Sequence, residues 1–576
     1  MSGIFLCPYS PSLLFYTMMN NYAIADNFSL LSKLMDIHGE NSFKAKSYAA
    51  AAFTIEKLPS QLTTLPPEQV FKIRGIGDSI GKNIVEQLET GRLSALDEYL
   101  KKTPAGILEM LSIKGIGPKK IATIWKELEI ETLGELLYAC NENRLMLYKG
   151  FGEKTQQNIK EAIEFYMGAL GSYLYQQVES FVETVHQKLK SAFKSDFLLT
   201  GEYRRQLEVI NKIEWVTSES AAGLKDFFAQ HDFQVKEESN ECISFAGKEN
   251  IILCFYLAPP QQLQSKLFTT SCSEDFLKEW ELVTQWNAST SYASEDEIFN
   301  HANICPIPAY QRETAIIIHA ARNNELHSVI EPEQITGIIH SHSNWSDGSN
   351  TIEEMAKAAI SGGYRFLVIS DHSKSAFYAN GLQEERIKAQ HLQIDELNAA
   401  LAPFKIYKSI ESDILNDGSL DYGNGILKSF DLVIASVHSN LKMSQEKAMS
   451  RLLNAIENPY TSILGHMTGR LLLSRNGYPV DHDKIIDACA ANNVVIELNA
   501  HPRRLDIDWR WIHKALEKNV LISINPDAHA IEGFGDCRYG VLVAQKAGLT
   551  RSANLSSFSL SAFEQFVQEQ KAKRPL

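Results

Sequence analysis

The chain has 576 residues, 44% of them hydrophobic and 22% charged, with a formal net charge of -14. That length suits about three domains with cores of their own, and so ordinary a composition argues against an extended disordered tail. The acidity argues against binding nucleic acid by bulk charge, because phosphate contact needs local Lys and Arg; residues 20–170, however, are close to charge-balanced.

The opening MSGIFLCPYSPSLLFYTMMN is apolar but holds two prolines and no basic n-region, which tells against a cleaved signal peptide. Residues 1–19 read as a non-native or disordered extension, with Met18 or Met19 as the true start. No run approaches the ~20 apolar residues that span a membrane. The eight cysteines are scattered without a C-x-x-C pair, which excludes a zinc ribbon and a disulfide framework and points to a reducing, cytoplasmic compartment.

The first third reads as all-α. Residues 21–58 have helical apolar spacing, and one pattern then occurs three times: IRGIGDSIGKNI (73–84), IKGIGPKKIATI (113–124) and YKGFGEKTQQNI (148–159). In each, a basic residue, Gly, an apolar residue and Gly precede a polar helix start, at Gly75 and Gly77, Gly115 and Gly117, and Gly150 and Gly152. Such glycines allow a tight turn whose amides face outward at a helix N-terminus, which suits a phosphate; Lys119 and Lys120 add charge to the second copy. These stretches resemble helix-hairpin-helix motifs, which clasp DNA backbones. With the helices before them they resemble the N-terminal DNA-end-binding domain of family X DNA polymerases, and Lys44 and Tyr48 match its 5'-phosphate pocket. Where lyase-active members carry a Schiff-base lysine this chain has Asn83, beside Lys82, which tells against lyase activity and leaves binding in place.

The resemblance continues through residues 171–315. Active members begin this region Gly-Ser-Tyr-Arg-Arg and follow with an Asp-x-Asp strand. Here Gly201, Tyr203, Arg204 and Arg205 keep the outline, while Glu202, Lys212 and Glu214 replace the serine and both aspartates. The strand IILCFY (251–256) has no acid where a third is due, and LFTTSCSED (267–275) departs from the sugar-gating turn. Two-metal nucleotidyl transfer needs carboxylates converging on ions ~3.5–4 Å apart. Glu208 and Glu214 on one strand would stand ~20 Å apart, and Lys212 puts a cation where a metal belongs. The region reads as a palm-like α+β scaffold that has lost polymerase activity and still grips DNA, with Arg204 and Arg205 on phosphate.

Ten of the sixteen histidines fall after residue 335. Seven β-branched apolar runs end in polar residues: TGIIH, FLVISDH, IYKSIE, LVIASVH, SILGH, VVIELN and LISINPDAH. Helical patterns lie between most of them, which implies a parallel sheet with ligands at the mouth of a barrel. His340, His342, Asp347, His372, Glu411, His438, His466, Asp527 and His529 are the candidate metal ligands, imidazole and carboxylate without thiolate. Nine exceed one four-coordinate ion, so two or three divalent ions fit, Mn2+ first and Zn2+ or Fe2+ as alternatives. Arg470 and Arg504 are the candidates for holding a phosphate oxygen; His391, His482, His501 and His513 read as ordinary residues. This stretch resembles the polymerase and histidinol phosphatase (PHP) domain, a distorted seven-stranded (β/α) barrel whose metal ligands the nine residues match, and HSHSNWSDG, LGHMTGRLL and ELNAHPRRLD match the version fused to bacterial family X polymerases.

The expected organisation is an extension (1–19), a helical DNA-end-binding domain (20–92), a helix-hairpin-helix fingers-like domain (93–170), a degenerate palm/thumb-like domain (171–315), a linker (316–334) and the PHP barrel (335–576). The expected function is metal-dependent 3'-5' exonuclease action on gapped, nicked or single-stranded DNA ends in base-excision repair. The alternatives are a DNA 3'-phosphatase or histidinol-phosphatase-like enzyme, and a non-enzymatic DNA-end-binding scaffold.

Overall fold

The computed structural model of the protein describes residues 21–575 except 57, 59–60, 114, 169–170, 232 and 248–249; the expected extension and its alternative starts lie outside the described residues. The described chain forms two compact units that divide between Leu136 and Leu137. This boundary runs through the stretch 93–170 that the sequence suggested as one domain.

In the first unit, α1 (Asn21–His38) and α2 (Ser42–Glu56) precede two hairpins that lead into α3 (Asp78–Thr90) and α4 (Pro118–Lys126). Both later helices bury isoleucines one turn apart, Ile80 with Ile84 and Ile121 with Ile124. Their N-caps, Gly77 and Gly117, supply no side-chain cap, which leaves the first-turn amides to an outside acceptor. Gly75, Gly115 and Gly150 share one left-handed conformation, with φ of 93°, 94° and 95°, so the three sequence copies are also three copies of one turn. A Cβ at Gly115 would meet nothing within 4 Å. Gly115→Ala therefore acts through backbone strain alone, and is expected to cost more than about 1 kcal/mol and to weaken DNA binding. Urea melts and filter binding check this, and wild-type affinity would show the turn to be dispensable.

The second unit contains a five-stranded mixed sheet: β1 (Phe197–Thr200), β2 (Ile213–Thr217), β3 (Gln234–Glu238), β4 (Cys242–Ala246) and β5 (Ile252–Leu257), in the order β1-β2-β5-β4-β3. Only β2 and β5 run parallel. Trp215 stacks on Phe255 at 5.2 Å in its core. The expected linker 316–334 is not all linker: Ile316–Arg322 is a helix, and Ile318 and Ala321 are buried in the core of Phe268, Phe276, Trp280 and Phe299.

All seven expected runs of the last third are strands of one parallel sheet: β6 (Gly337–Ser341), β7 (Phe366–Ile369), β8 (Lys405–Asp413), β9 (Leu432–Ser436), β10 (Ile463–Leu464), β11 (Val495–Asn499) and β12 (Ile522–Asn525), paired in chain order. The first and last meet through a parallel bridge of Ser341 with Ala528, which nearly closes the barrel. Side chains alternate along these strands as the pleat requires. Leu367, Ile369, Val433, Ala435, Ile496 and Leu498 join the surrounding helices in one core. Phe366, Val368, Leu432, Ile434 and Val495 face the interior, where Phe563 of the C-terminal helix stacks on Phe366 at 4.1 Å and stoppers the end opposite the mouth. The same interior parity continues toward the mouth as Ser409 and Glu411 on β8, Ser436 and His438 after β9, and Glu497 and Asn499 on β11, all but His438 fully buried. No helix among the described residues is long and apolar enough to cross a membrane.

Candidate metal centre

Two backbone departures aim side chains at the mouth. His340 and Asp527 adopt left-handed φ of 62° and 53°, costly for residues with a Cβ and usually retained where function needs them. At His340 the pairing register shifts between Ile338 and Ser341, so a residue of helix-facing parity reaches the interior. His342, two residues on, reaches it past the strand end.

The nine candidate side chains converge. Glu411 is the hub: its carboxylate oxygens lie 2.9 Å from His372 Nδ1, 3.0 Å from His466 Nε2, 3.1 Å from His438 Nε2, 3.3 Å from His340 Nε2 and 3.7 Å from His342 Nε2. Asp527 Oδ1 lies 3.1 Å from His342 Nε2 and 3.4 Å from His340 Nε2. Asp347 lies 3.5 Å from both His372 Nε2 and His529 Nε2. Three sets have donor atoms close enough to share an ion: His342, Asp347, His372 and His529; His340, His342 and Asp527; His372, Glu411 and His438. His466 stands outside these sets and touches them through Glu411.

Buried polar atoms are normally hydrogen-bonded. Here His340 Nε2, His342 Nδ1, Asp347 Oδ2, His372 Nδ1, Glu411 Oε2, His466 Nδ1 and His529 Nε2 are buried without a hydrogen bond, although several lie within 3.5 Å of a charged neighbour. Unbonded imidazole nitrogens and carboxylate oxygens gathered this closely fit borderline or hard divalent ions. The far nitrogens are held from behind: His340 Nδ1 by Glu497 at 2.6 Å, His438 Nδ1 by Asp413, and His529 Nδ1 by the Asp527 carbonyl at 3.0 Å. Such partners fix the ring and raise ligand basicity.

Burial disfavours charge on these rings, yet the carboxylates outweigh it. Glu411 and Asp413 raise His438 to about 10, Asp347 raises His529 to about 10, and Glu497, Asp527 and Glu411 hold His340 well above the usual imidazole range. His342, buried beside His529 and His372, falls to about 3. At pH 7 the metal-free site therefore holds protons that an ion must displace. Mn2+ uptake at pH 7 is expected to release more than one proton per protein and to weaken as pH falls. In metal-free protein, the stability contributed by His438 and His529 is complete below about 6.5 and lost as pH rises toward about 10. Titration calorimetry in buffers of different ionisation heat reads the release directly, and a buffer-independent heat would contradict it.

Comparison with known proteins bears on all three regions. Residues 19–93 match the helix-hairpin-helix domain, residues 107–164 the SAM-like helix-hairpin-helix tandem and residues 339–501 the PHP domain. A DNA polymerase/3'-5' exonuclease PolX of Bacillus subtilis is 31% identical over 572 residues, covering 93% of this chain and 97% of its own. The chain belongs to the PolX family. Shorter relatives include a probable phosphatase of Thermoanaerobacter, 28% identical over 37% of this chain and 93% of its own, and one of Caldanaerobacter subterraneus, 26% identical over 39% and 87%.

Within this PolX chain the remaining expected site residues have varied placements. Lys44 and Lys119 are exposed and Lys120 is partly so, whereas Tyr48 is buried and its hydroxyl accepts from Asn83 Nδ2 at 2.7 Å. Arg204 and Arg205 each meet an acid of the same region. The Arg204 guanidinium is engaged by both Glu295 oxygens and Ser271. Arg205 donates to Glu313 at 3.2 Å, and its carbonyl accepts from Lys546. The pair thereby ties elements of the middle region to one another. Arg470 bonds Asp508 and the carbonyls of Arg504 and Leu505 and so holds the loop after β11. Arg504 does lie at the site, its Nε 3.8 Å from Asp527 Oδ2 and 3.0 Å from Tyr138 Oη.

Sequence reasoning missed the residues behind the ligands. Glu497 accepts from the His466 amide and Asn525 besides contacting His340, and Asn499 Nδ2 donates to Asp527 at 3.0 Å. Asp371, adjacent to His372 in the SDH motif, instead accepts from Ser343, Ser346 and Gln390 and fixes the loop after β6. The available signal was parity: Glu497 and Asn499 follow Val495 at the strand period. Glu497→Gln is expected to lower metal affinity or hydrolysis by about 10–100-fold, measured by metal titration and initial rates.

Proposed function

We propose that this chain holds DNA ends through its helix-hairpin-helix turns and shortens them as a metal-dependent 3'-5' exonuclease in base-excision repair, without polymerase activity. The observation that carries this reading is the convergence of nine imidazole and carboxylate side chains, seven with orphaned donor atoms, in a chain whose first third repeats a phosphate-suited turn. Bound divalent ions supply a water that ionises near neutral pH and neutralise charge on phosphate oxygens. Asp347, Asp527 and Glu411 each face two or more imidazoles and would bring one carboxylate to each of the three donor sets, among which His342 and His372 are shared. Arg504 brings a guanidinium to the edge of the same pocket.

Loss of polymerase activity is supported by the second carboxylate position. Lys212 Nζ lies 2.7 Å from Glu214 Oε1, which also accepts from Tyr256 Oη at 2.7 Å, while Glu214 Oε2 accepts from the Glu202 amide at 2.9 Å. Both oxygens of the one remaining palm acid are thereby engaged, and Lys212 adds a fixed cation.

The probable phosphatases favour a second reading, removal of a terminal 3'-phosphate. With 5'-labelled single-stranded and gapped DNA and Mn2+, the first reading expects stepwise shortening of 3'-hydroxyl ends that is lost in His340→Ala. Removal of a terminal phosphate without shortening would favour the second. An active His340→Ala variant would move the chemistry away from the barrel, and primer extension on adding nucleotides would overturn the lost polymerase.

A further inference from the structure

The segment after the helix Leu133–Asn141 reaches the barrel mouth. Tyr138 Oη donates to Asp527 Oδ2 at 3.5 Å, and Asn143 Nδ2 donates to Ser349 Oγ at 3.0 Å, two residues beyond Asp347. Asn143 has a left-handed φ of 56° and is steadied by Gln156 Nε2 at 3.0 Å. The next residue, Arg144, is thereby set against the loop after β7: its guanidinium stacks over the Tyr378 ring at 4.2 Å, and that ring stands edge-on to His372 at 6.5 Å.

Arg144 differs from the arginines the sequence suggested. Arg470 bonds its own loop, and Arg504 donates to Tyr138. Arg144 Nε is buried without a hydrogen bond, and Nη1 stops 3.6 Å from Glu142 Oε2. The Tyr378 hydroxyl is likewise buried and unbonded. A guanidinium with its Nε unbonded, loosely paired with Glu142 and stacked over a ring whose hydroxyl is unbonded, stands beside His372; its planar cationic fork suits the paired oxygens of a phosphate.

Resting on the phosphoesterase reading above, we infer that Arg144 and Tyr378 bind the non-bridging oxygens of the reacting phosphate, so that the hairpin segment contributes a residue to the hydrolytic site. The test compares wild type with Arg144→Ala, Arg144→Lys and Tyr378→Phe in the full chain with Mn2+, on single-stranded DNA and on bis(4-nitrophenyl) phosphate. Arg144→Ala should lower kcat/KM about 100-fold on both substrates, with bound Mn2+ and Tm unchanged. Arg144→Lys should recover little of it, and added guanidinium ion should restore part of the alanine variant's rate. Tyr378→Phe should show a smaller loss of the same kind.

Wild-type rates in Arg144→Ala, a loss that tracks lost Mn2+, or no rescue by guanidinium would each overturn the inference. Because the small diester is read alongside DNA, a wild type that hydrolyses the diester but leaves DNA intact would overturn the exonuclease reading while still deciding the role of Arg144. A wild type inert on both would overturn both.

Discussion

Glu411→Gln is expected to reduce phosphodiester hydrolysis by more than 100-fold while leaving the barrel folded. The substitution keeps the shape of a fully buried side chain and removes the one negative charge that five imidazoles face within 3.7 Å. An amide cannot serve as an anionic ligand, and one of its edges presents donors where Glu411 presents only acceptors. The loss should exceed the about 10–100-fold that follows removal of a residue supporting a ligand from behind, so Glu411→Gln and Glu497→Gln should rank in that order. The measurement is initial rate on 5'-labelled DNA, with bound Mn2+ per protein counted by elemental analysis and the fold followed by circular dichroism. A Glu411→Gln variant within 10-fold of wild type and carrying its full metal would remove Glu411 from the centre of the site.

Chelation is expected to lower the Tm of the barrel by roughly 5–10 °C. An ion that binds only the folded barrel adds about 2.7 kcal/mol when present at 100 times its Kd, and a domain of about 240 residues shifts by about 2–4 °C per kcal/mol. Without ions, carboxylates and protonated imidazoles stabilise one another in pairs, so the barrel is expected to lose stability on chelation without unfolding. Calorimetry in excess Mn2+ and then in excess EDTA reads the shift. An unchanged transition, with EDTA shown to abolish hydrolysis, would mean that ions bind too weakly to contribute to the fold.

The last third was legible because a barrel writes its geometry into strand period. All seven runs are strands and six of them end at a candidate ligand, so His438 and His529 could be proposed for the mouth from the residues alone, whereas His340 reaches it only through the register shift after Ile338. Glu497 was less visible, since an acid within an apolar strand shows its purpose only when the interior is known to turn polar toward the mouth. The partners of Arg204 and Arg205 were not legible, because Glu295 and Glu313 lie 91 and 108 residues away, a separation that no local pattern bridges. The helix Ile316–Arg322 was hidden for a simpler reason: seven residues are too few for a helical period to declare itself.

The Lys212–Glu214 contact has a consequence for ancestry. If the palm once held metal, restoring aspartate at 212 would now set a second carboxylate beside Glu214 in place of its neutralising cation, while β5 still offered no third acid. Each single step back would begin with like-charge repulsion in a partly buried site and no bound ion to relieve it. If polymerase activity has been lost as proposed, the lysine would work as a ratchet: it neutralises Glu214 in the strand as it stands, and no single substitution back to aspartate would restore three acids.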